Sequence, residues 1–154
     1  MIVLVILAIL AGMAAPALQD MIVQSRLASQ TNELLGAIQF ARGEAIKRNQ
    51  SISLCSAASA GDTACATGAT NWAHWVVLNA NNTVLRQGST PANLLLSSTL
   101  SSNTLTFAPS GLNDVTVGVA DTIKLCSPTG SGNTTRTITI RLAGGTTISQ
   151  SPGC

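Results

Sequence analysis

The pattern of hydrophobic and polar positions changes character twice along this chain. From Met1 to Gln19 (MIVLVILAILAGMAAPALQ) no side chain is charged and most are apolar. As a helix rising about 1.5 Å per residue, positions 1–18 reach roughly 27 Å, close to the hydrocarbon thickness of a bilayer. After Asp20 the pattern becomes amphipathic. Leu27, Thr31, Leu34, Leu35, Ile38, Ala41, Ala45 and Ile46 recur at helical spacing, while Gln24, Asn32, Gln39, Gly43 and Lys47 fall mostly elsewhere. Glu44 stands four residues before Arg48, a favourable helical pair, and Asn49 is a suitable stop. The spacing therefore predicts one helix from the start of the chain to Asn49. Its first part, apolar all round, requires lipid or other helices; its second part needs a sheet to cover one stripe.

From Ser51 onward the period becomes two. Strands are predicted at 51–55, 73–79, 84–87, 93–97, 104–107, 115–119, 122–126, 135–142 and 146–149. The breaks carry turn chemistry: Gly61-Asp62, Asn81-Asn82, Pro109-Ser110-Gly111, Pro128-Thr129-Gly130 and Gly144-Gly145. No amphipathic helix intervenes, so the expected class is α+β, with a long helix packed on an antiparallel sheet or small β-sandwich. The organisation expected is 1–19 as the apolar half of the helix, 20–49 as its amphipathic half, and 50–154 as a β-rich globular domain.

A chain of 154 residues suits a single core. Only 9% of it is charged, against about a quarter in ordinary soluble domains. Ser, Thr and Asn take that place, as in extracellular β-rich proteins. The net charge of +2 is too small to imply nucleic acid or an anionic membrane as a partner. Four cysteines, Cys55, Cys65, Cys126 and Cys154, point to an oxidising compartment and to disulfides. Three pairings are open; closure between sequence neighbours joins Cys55 to Cys65 and Cys126 to Cys154. A metal site has no C-x-x-C pair and a single histidine to draw on.

The rival reading of the apolar run is a cleaved secretory signal, which calls for a basic stretch ahead of it. No Lys or Arg precedes Arg26, which favours a membrane anchor. Pro16 removes a backbone donor and crowds the carbonyl of Gly12, so a kink or local melting is expected between them.

Catalytic patterns are missing. There is no G-x-S-x-G, G-x-x-x-x-G-K, H-E-x-x-H or S-x-x-K, and the six acids form no pair suited to acid–base work. His74 has no indicated acid or nucleophile beside it and reads as structural. Trp72 and Trp75, three apart on a predicted strand, should face opposite ways, one in the core and one at a surface contact. Lys124, Arg136 and Arg141 give residues 122–154 a local charge of +3, the one candidate for DNA contact. Arg136 and Arg141 differ by an odd number along one strand, however, so they should diverge. No cofactor is implied, and the chain reads as a non-enzyme.

The stretch from Met1 to Cys55, above all NELLGAIQFARGEAIKRNQ, resembles the minor type IV pilins and H-type pseudopilins of the GspH/FimT group, which includes FimU-like subunits. Further matches are residues 72–78, the turn Phe107-Ala108-Pro109-Ser110-Gly111, the cysteine of the first strand and that at the C-terminus. The resemblance implies a pilin fold. It also implies a subunit held by one span in the bacterial inner membrane, with a periplasmic globular domain, later extracted into an extracellular filament. The implied partners are other pilins through the N-terminal helix, the inner membrane and its assembly platform; the implied roles are to start filament assembly or sit near its tip. Family precursors carry a basic leader and a Gly-Phe-Thr-Leu-Ile-Glu-like motif just before the apolar run. Here both would lie upstream of Met1, so no processing site or assembly glutamate is carried over. DNA-binding members carry a G-R-x-R-type motif near the C-terminus, where this chain has Gly145-Thr146-Thr147-Ile148. The resemblance thus favours a structural minor pilin over a DNA-uptake subunit, with a type II secretion pseudopilin as a close variant.

Overall fold

In the computed structural model the change of period at Asn49 is where helix gives way to sheet. The structure describes residues 2–68, 72–114, 120–128 and 134–154, and for 2–17 the backbone alone. Helix α1 spans Ile2–Arg48. Asn49 ends it by adopting φ 52°, a left-handed turn that Asn tolerates well. The Asn49 and Gln50 amides then donate back to the carbonyls of Ile46 (3.4 Å) and Ala45 (3.2 Å), so the last turn keeps its acceptors occupied. The helical backbone runs through Gly12 and Pro16; the kink expected there falls in the stretch whose side chains lie outside the described residues.

Among the described residues eight strands follow: β1 (Ile52–Ala57), β2 (His74–Asn79), β3 (Val84–Ser89), β4 (Leu95–Ser98), β5 (Thr104–Phe107), β6 (Asp121–Cys126), β7 (Thr135–Ile140) and β8 (Thr146–Ser151). They form two antiparallel sheets, ordered β3-β2-β1-β5 and β4-β6-β7-β8. The predicted strand at 115–119 and part of the Pro128-Thr129-Gly130 turn lie outside the described residues. The larger of two apolar clusters joins the helix and both sheets. Leu27, Leu34, Ala37, Ile38, Ala41 and Ala45 from α1 meet Ile52, Leu54, Val77, Leu105 and Phe107 of the first sheet and Leu96, Ile123, Leu125, Ile138 and Ile140 of the second. Thr31, also on the buried stripe, satisfies its hydroxyl by donating to the Leu27 carbonyl at 2.6 Å.

Two expectations need correction. Ile46, assigned to the buried stripe, is 53% exposed; it stands beside the buried row of Ile38, Ala41 and Ala45 and rests on one side against the Gly111 turn. Trp72 and Trp75 do not divide between core and surface; both are buried. Strand β2 begins only at His74, so Trp72 lies outside the two-residue alternation. It serves instead as a crossing point between sheets. Its amide donates to the Leu96 carbonyl (3.1 Å) and its indole N–H to Asn103 Oδ1 (3.3 Å).

The first sheet has a second, smaller apolar layer on the side away from the helix, formed by Cys55, Ala57, Val76 and Leu78 with Val84 and Cys65. The Cys55–Cys65 disulfide fastens the following loop over it, and Cys126–Cys154 ties the C-terminal segment to β6. Closing loops of 10 and 28 residues removes unfolded-state entropy equivalent to about 2.7 and 3.6 kcal/mol respectively.

Candidate functional site: the helix surface and its attachment to the sheets

The sheets bury α1 from Leu27 to Ala45, with Val23 packed at the margin of the core. Before that stretch, Leu18 (59% exposed), Met21 (71%) and Ile22 (44%) stand in solvent. Their spacing of three and four places them on adjoining turns of one face. Uncovered side chains of this size cost about 25 cal/mol for each Å² of apolar surface left in water, so the face favours an apolar partner. Among the described residues no helix is long and apolar enough to cross a membrane; the run expected to do so lies almost wholly in 1–17.

Where α1 is covered, two arginines lock it in place. Arg86 comes from β3 and lies between two rings, its guanidinium carbon 6.0 Å from the Phe40 centroid on the helix and 5.8 Å from that of Trp75 on β2. A register shift puts it there. Leu78 pairs with Val84, but Val77 pairs with Arg86, leaving Leu85 as an extra residue. Val77 faces the helix, so the bulge turns Arg86 to the helix side; regular pairing would set it opposite Val76, which faces away. Further along β3, Gly88 makes room for the Trp75 indole: a Cβ there would fall 2.2 Å from Cζ2.

Arg42 is the second lock. Its Nε donates to the Gly111 carbonyl at 3.1 Å, and its side chain packs on Gly144 so closely that a Cβ there would lie 2.8 Å from Nε. Gly144 also has φ 72°, which suits glycine on conformational grounds. One helical side chain thereby contacts a turn from each sheet region. Asn113 links the same two turns directly, its amide donating to Leu142 O (3.1 Å) and its Nδ2 to Arg141 O (2.8 Å). At the helix end Glu44 accepts from Arg48 and pairs with Lys47 Nζ at 3.6 Å. The hydrogen bond from Arg48, followed by the charges of Arg48 and Lys47, holds the Glu44 carboxyl below the ordinary glutamate range.

The three basic residues singled out for DNA contact do not converge. Lys124 is exposed on the face of β6 away from the helix, since its neighbours Ile123 and Leu125 are buried. Arg136 shares the parity of Ile138 and Ile140 and so sits on the helix side, where its Nε is buried with no hydrogen-bond partner. Arg141 lies beyond the end of β7, four positions from Thr137, the partner of Lys124; that separation is roughly 13 Å of strand. A duplex needs a contiguous basic footprint, and these side chains do not supply one.

His74 lines a cavity of about 240 Å³ with Ala57, Ser59, Asp62, Gln87 and Ser89. Its Nδ1 is buried with no hydrogen-bond partner. Asp62 is engaged by Ser59, whose amide donates to Oδ2 at 2.7 Å, and the hydrogen bonds from Ser59 hold its carboxyl below the ordinary range. No nucleophile–base pair is formed there among the described residues.

The comparisons with known proteins agree with this geometry. The family model of GspH, described as a type II transport protein, matches residues 30–145. Two crystal structures of the type IV minor pilin FimU from Pseudomonas aeruginosa strain PAO1 share the fold. One is 22% identical with a TM-score of 0.56 and covers 82% of this chain and 93% of its own. The other is 23% identical with a TM-score of 0.57, covering 84% and 90%. No curated protein sequence matches the chain.

Proposed function

We propose a role that starts from a plain premise: the chain belongs to the GspH family of minor pilins and pseudopilins. On our reading it is a minor subunit of a type IV pilus, anchored in the inner membrane through 1–19 and carried into the filament to start assembly. Residues 20–49 would join that anchor to the head, and 50–154 would form the head facing outward. The observation that carries this reading is the bare face of Leu18, Met21 and Ile22, which the chain's own sheets cannot reach. An uncharged helix is as well accommodated by lipid as by sister helices, because its backbone polar groups are satisfied internally in both settings.

The test is to delete the gene in its native bacterium and complement it with the wild-type chain or with Met21→Glu. Wild type should restore surface filaments and co-fractionate with them after shearing; Met21→Glu should remain in the membrane fraction and restore few. Full filament numbers with Met21→Glu would refute the reading.

A type II secretion pseudopilin is the second reading, favoured by the identity of the matching family model. Exoproteins trapped in the periplasm of the deletion strain, with filaments intact, would select it. DNA uptake is the third. It is disfavoured by the divergence of Lys124, Arg136 and Arg141, and salt-sensitive retardation of duplex DNA by the purified chain would revive it.

A further inference from the structure

A sheet edge offers unpaired backbone groups, and proteins normally blunt such edges. Among the described residues, three of the four sheet edges are blunted. On β3 the extra residue at Leu85 breaks the regular ladder and Arg86 is an inward-pointing charge. The four-residue β4 is crossed by the Trp72 amide bonded to Leu96 O. Along β5, residues 112–114 fold back: Asn113 bridges Phe107, Asp114 N–H donates to Thr106 O, and the Thr106 amide donates to Asp114 Oδ1.

The edge of β8 has none of these devices. It pairs with β7 over six residues without a register shift, and no charged side chain occurs between Leu142 and Cys154. The turn fixes which groups are free. Arg141 N–H donates to Gly145 O (3.0 Å), so the alternation of an antiparallel ladder gives Thr147, Ser149 and Ser151 to β7 and turns the amides and carbonyls of Thr146, Ile148 and Gln150 outward. No described residue bonds to these outward groups. The strand is also held ready, by the β7–β8 turn at one end and the Cys126–Cys154 bridge at the other, so little ordering remains to be done on binding.

We propose that the β8 edge takes up an extended, uncharged segment of a different subunit of the same filament, extending the second sheet by one strand. This rests on the filament-subunit reading. A second copy of β8 is the wrong occupant. Two identical edges meeting antiparallel in one sheet are related by a two-fold axis perpendicular to it. Helix α1 packs flat on that sheet, so the same axis would set the two helices antiparallel. Chains anchored from one side of a membrane cannot adopt that arrangement. The incoming segment is uncharged because the edge has no charge to pair and exposes Ile148 (42%) beside hydroxyl groups. Main-chain bonds to Ile148 would supply the affinity, with the flanking side chains setting preference.

The experiment uses the full-length chain in its native bacterium, with photoreactive benzoylphenylalanine replacing Ser149 or, separately, Met21. The adduct from position 149 should map to an extended segment of another pilin-type subunit. Ile148→Pro withholds an outward N–H while keeping every bond to β7, and should cut that adduct about fivefold for each hydrogen bond lost. Ile148→Lys, which leaves the backbone intact, should do the same by charging the edge. Protein level and disulfide state confirm that each variant folds. Adducts from Met21 with none from position 149 overturn the proposal while leaving the functional reading standing, and so does a position-149 adduct that survives both substitutions. A symmetric 149–149 adduct also overturns it. No pilin-type adduct from either position defeats the functional reading, and this one with it.

Discussion

Gly88 is the most exacting test of the helix–sheet contact. Alanine at that position would place its methyl 2.2, 2.5 and 2.9 Å from Cζ2, Cε2 and Cη2 of Trp75. The indole has little room to yield, since it is buried and carries Arg86 against it. Forcing a methyl into such a contact costs about 1–3 kcal/mol. Against this stands a gain of about 0.4–1 kcal/mol, because alanine narrows the unfolded ensemble. The steric cost wins, leaving the variant less stable by about 1–2 kcal/mol, or about 2–8 °C in Tm for a domain of this size. The assay is thermal unfolding of the full chain in detergent micelles, followed by far-UV circular dichroism with both disulfides intact. The double variant Gly88→Ala, Trp75→Leu supplies the control. With the indole gone the methyl has space, so the two losses should combine to less than their sum by about 1 kcal/mol or more. An unchanged or higher Tm for Gly88→Ala, or strict additivity in the double variant, would refute the close approach and the ordered arrangement built on it.

Other outcomes follow from the same structure. Arg86→Met should lower stability by about 1–2 kcal/mol through loss of both ring contacts, and Arg86→Lys should recover little, because an ammonium lacks the flat face that lies between two rings; denaturant midpoints check this. Glu44 has a folded pKa below its unfolded value, so its contribution is complete above the ordinary glutamate range and disappears as pH falls through the depressed folded value. Wild-type Tm should therefore drop over that acid window, and Glu44→Gln should flatten the drop. Removing the Cys126–Cys154 bridge by paired alanines should destabilise more than removing Cys55–Cys65, by about 1 kcal/mol, since the closed loop is longer; chemical unfolding under non-reducing conditions measures the difference.

Much of the architecture was legible because periodicity reports burial directly. The change from helical to alternating spacing marked Asn49, and eight of the nine predicted strands correspond to observed ones. Alternation was applied to Arg136 and Arg141 as one strand, but β7 ends at Ile140, so it governs Arg136 alone. The features that escaped depend on single-residue offsets or on the extent of neighbouring elements. Leu85 as an extra residue has no compositional signature, yet it decides that Arg86 faces the helix. Trp72 precedes the strand predicted at 73–79, yet the alternation of that strand was extended to it, and it does not share it. Ile46 stands one position round the helix from the buried Ala45, at the flank of the stripe, where only the Gly111 turn meets it; helical spacing alone does not record how far the cover extends. The bare edge of β8 was likewise hidden, because strand order is a property of pairing across the chain.

The Cys126–Cys154 bond also alters how the molecule bears mechanical load. Together with the chain between its ends it encloses β6's last residue, β7 and β8 in a covalent ring. Tension entering along α1 and leaving through β8 could draw out no more of the enclosed segment than the shorter route across the sulfur bridge allows. At roughly 3.5 Å per residue, a load leaving at Ile148 takes a route of about 6 residues through the bridge in place of about 22 along the chain, which withholds roughly 56 Å of extension. A filament joint made at β8 would stretch little before it broke.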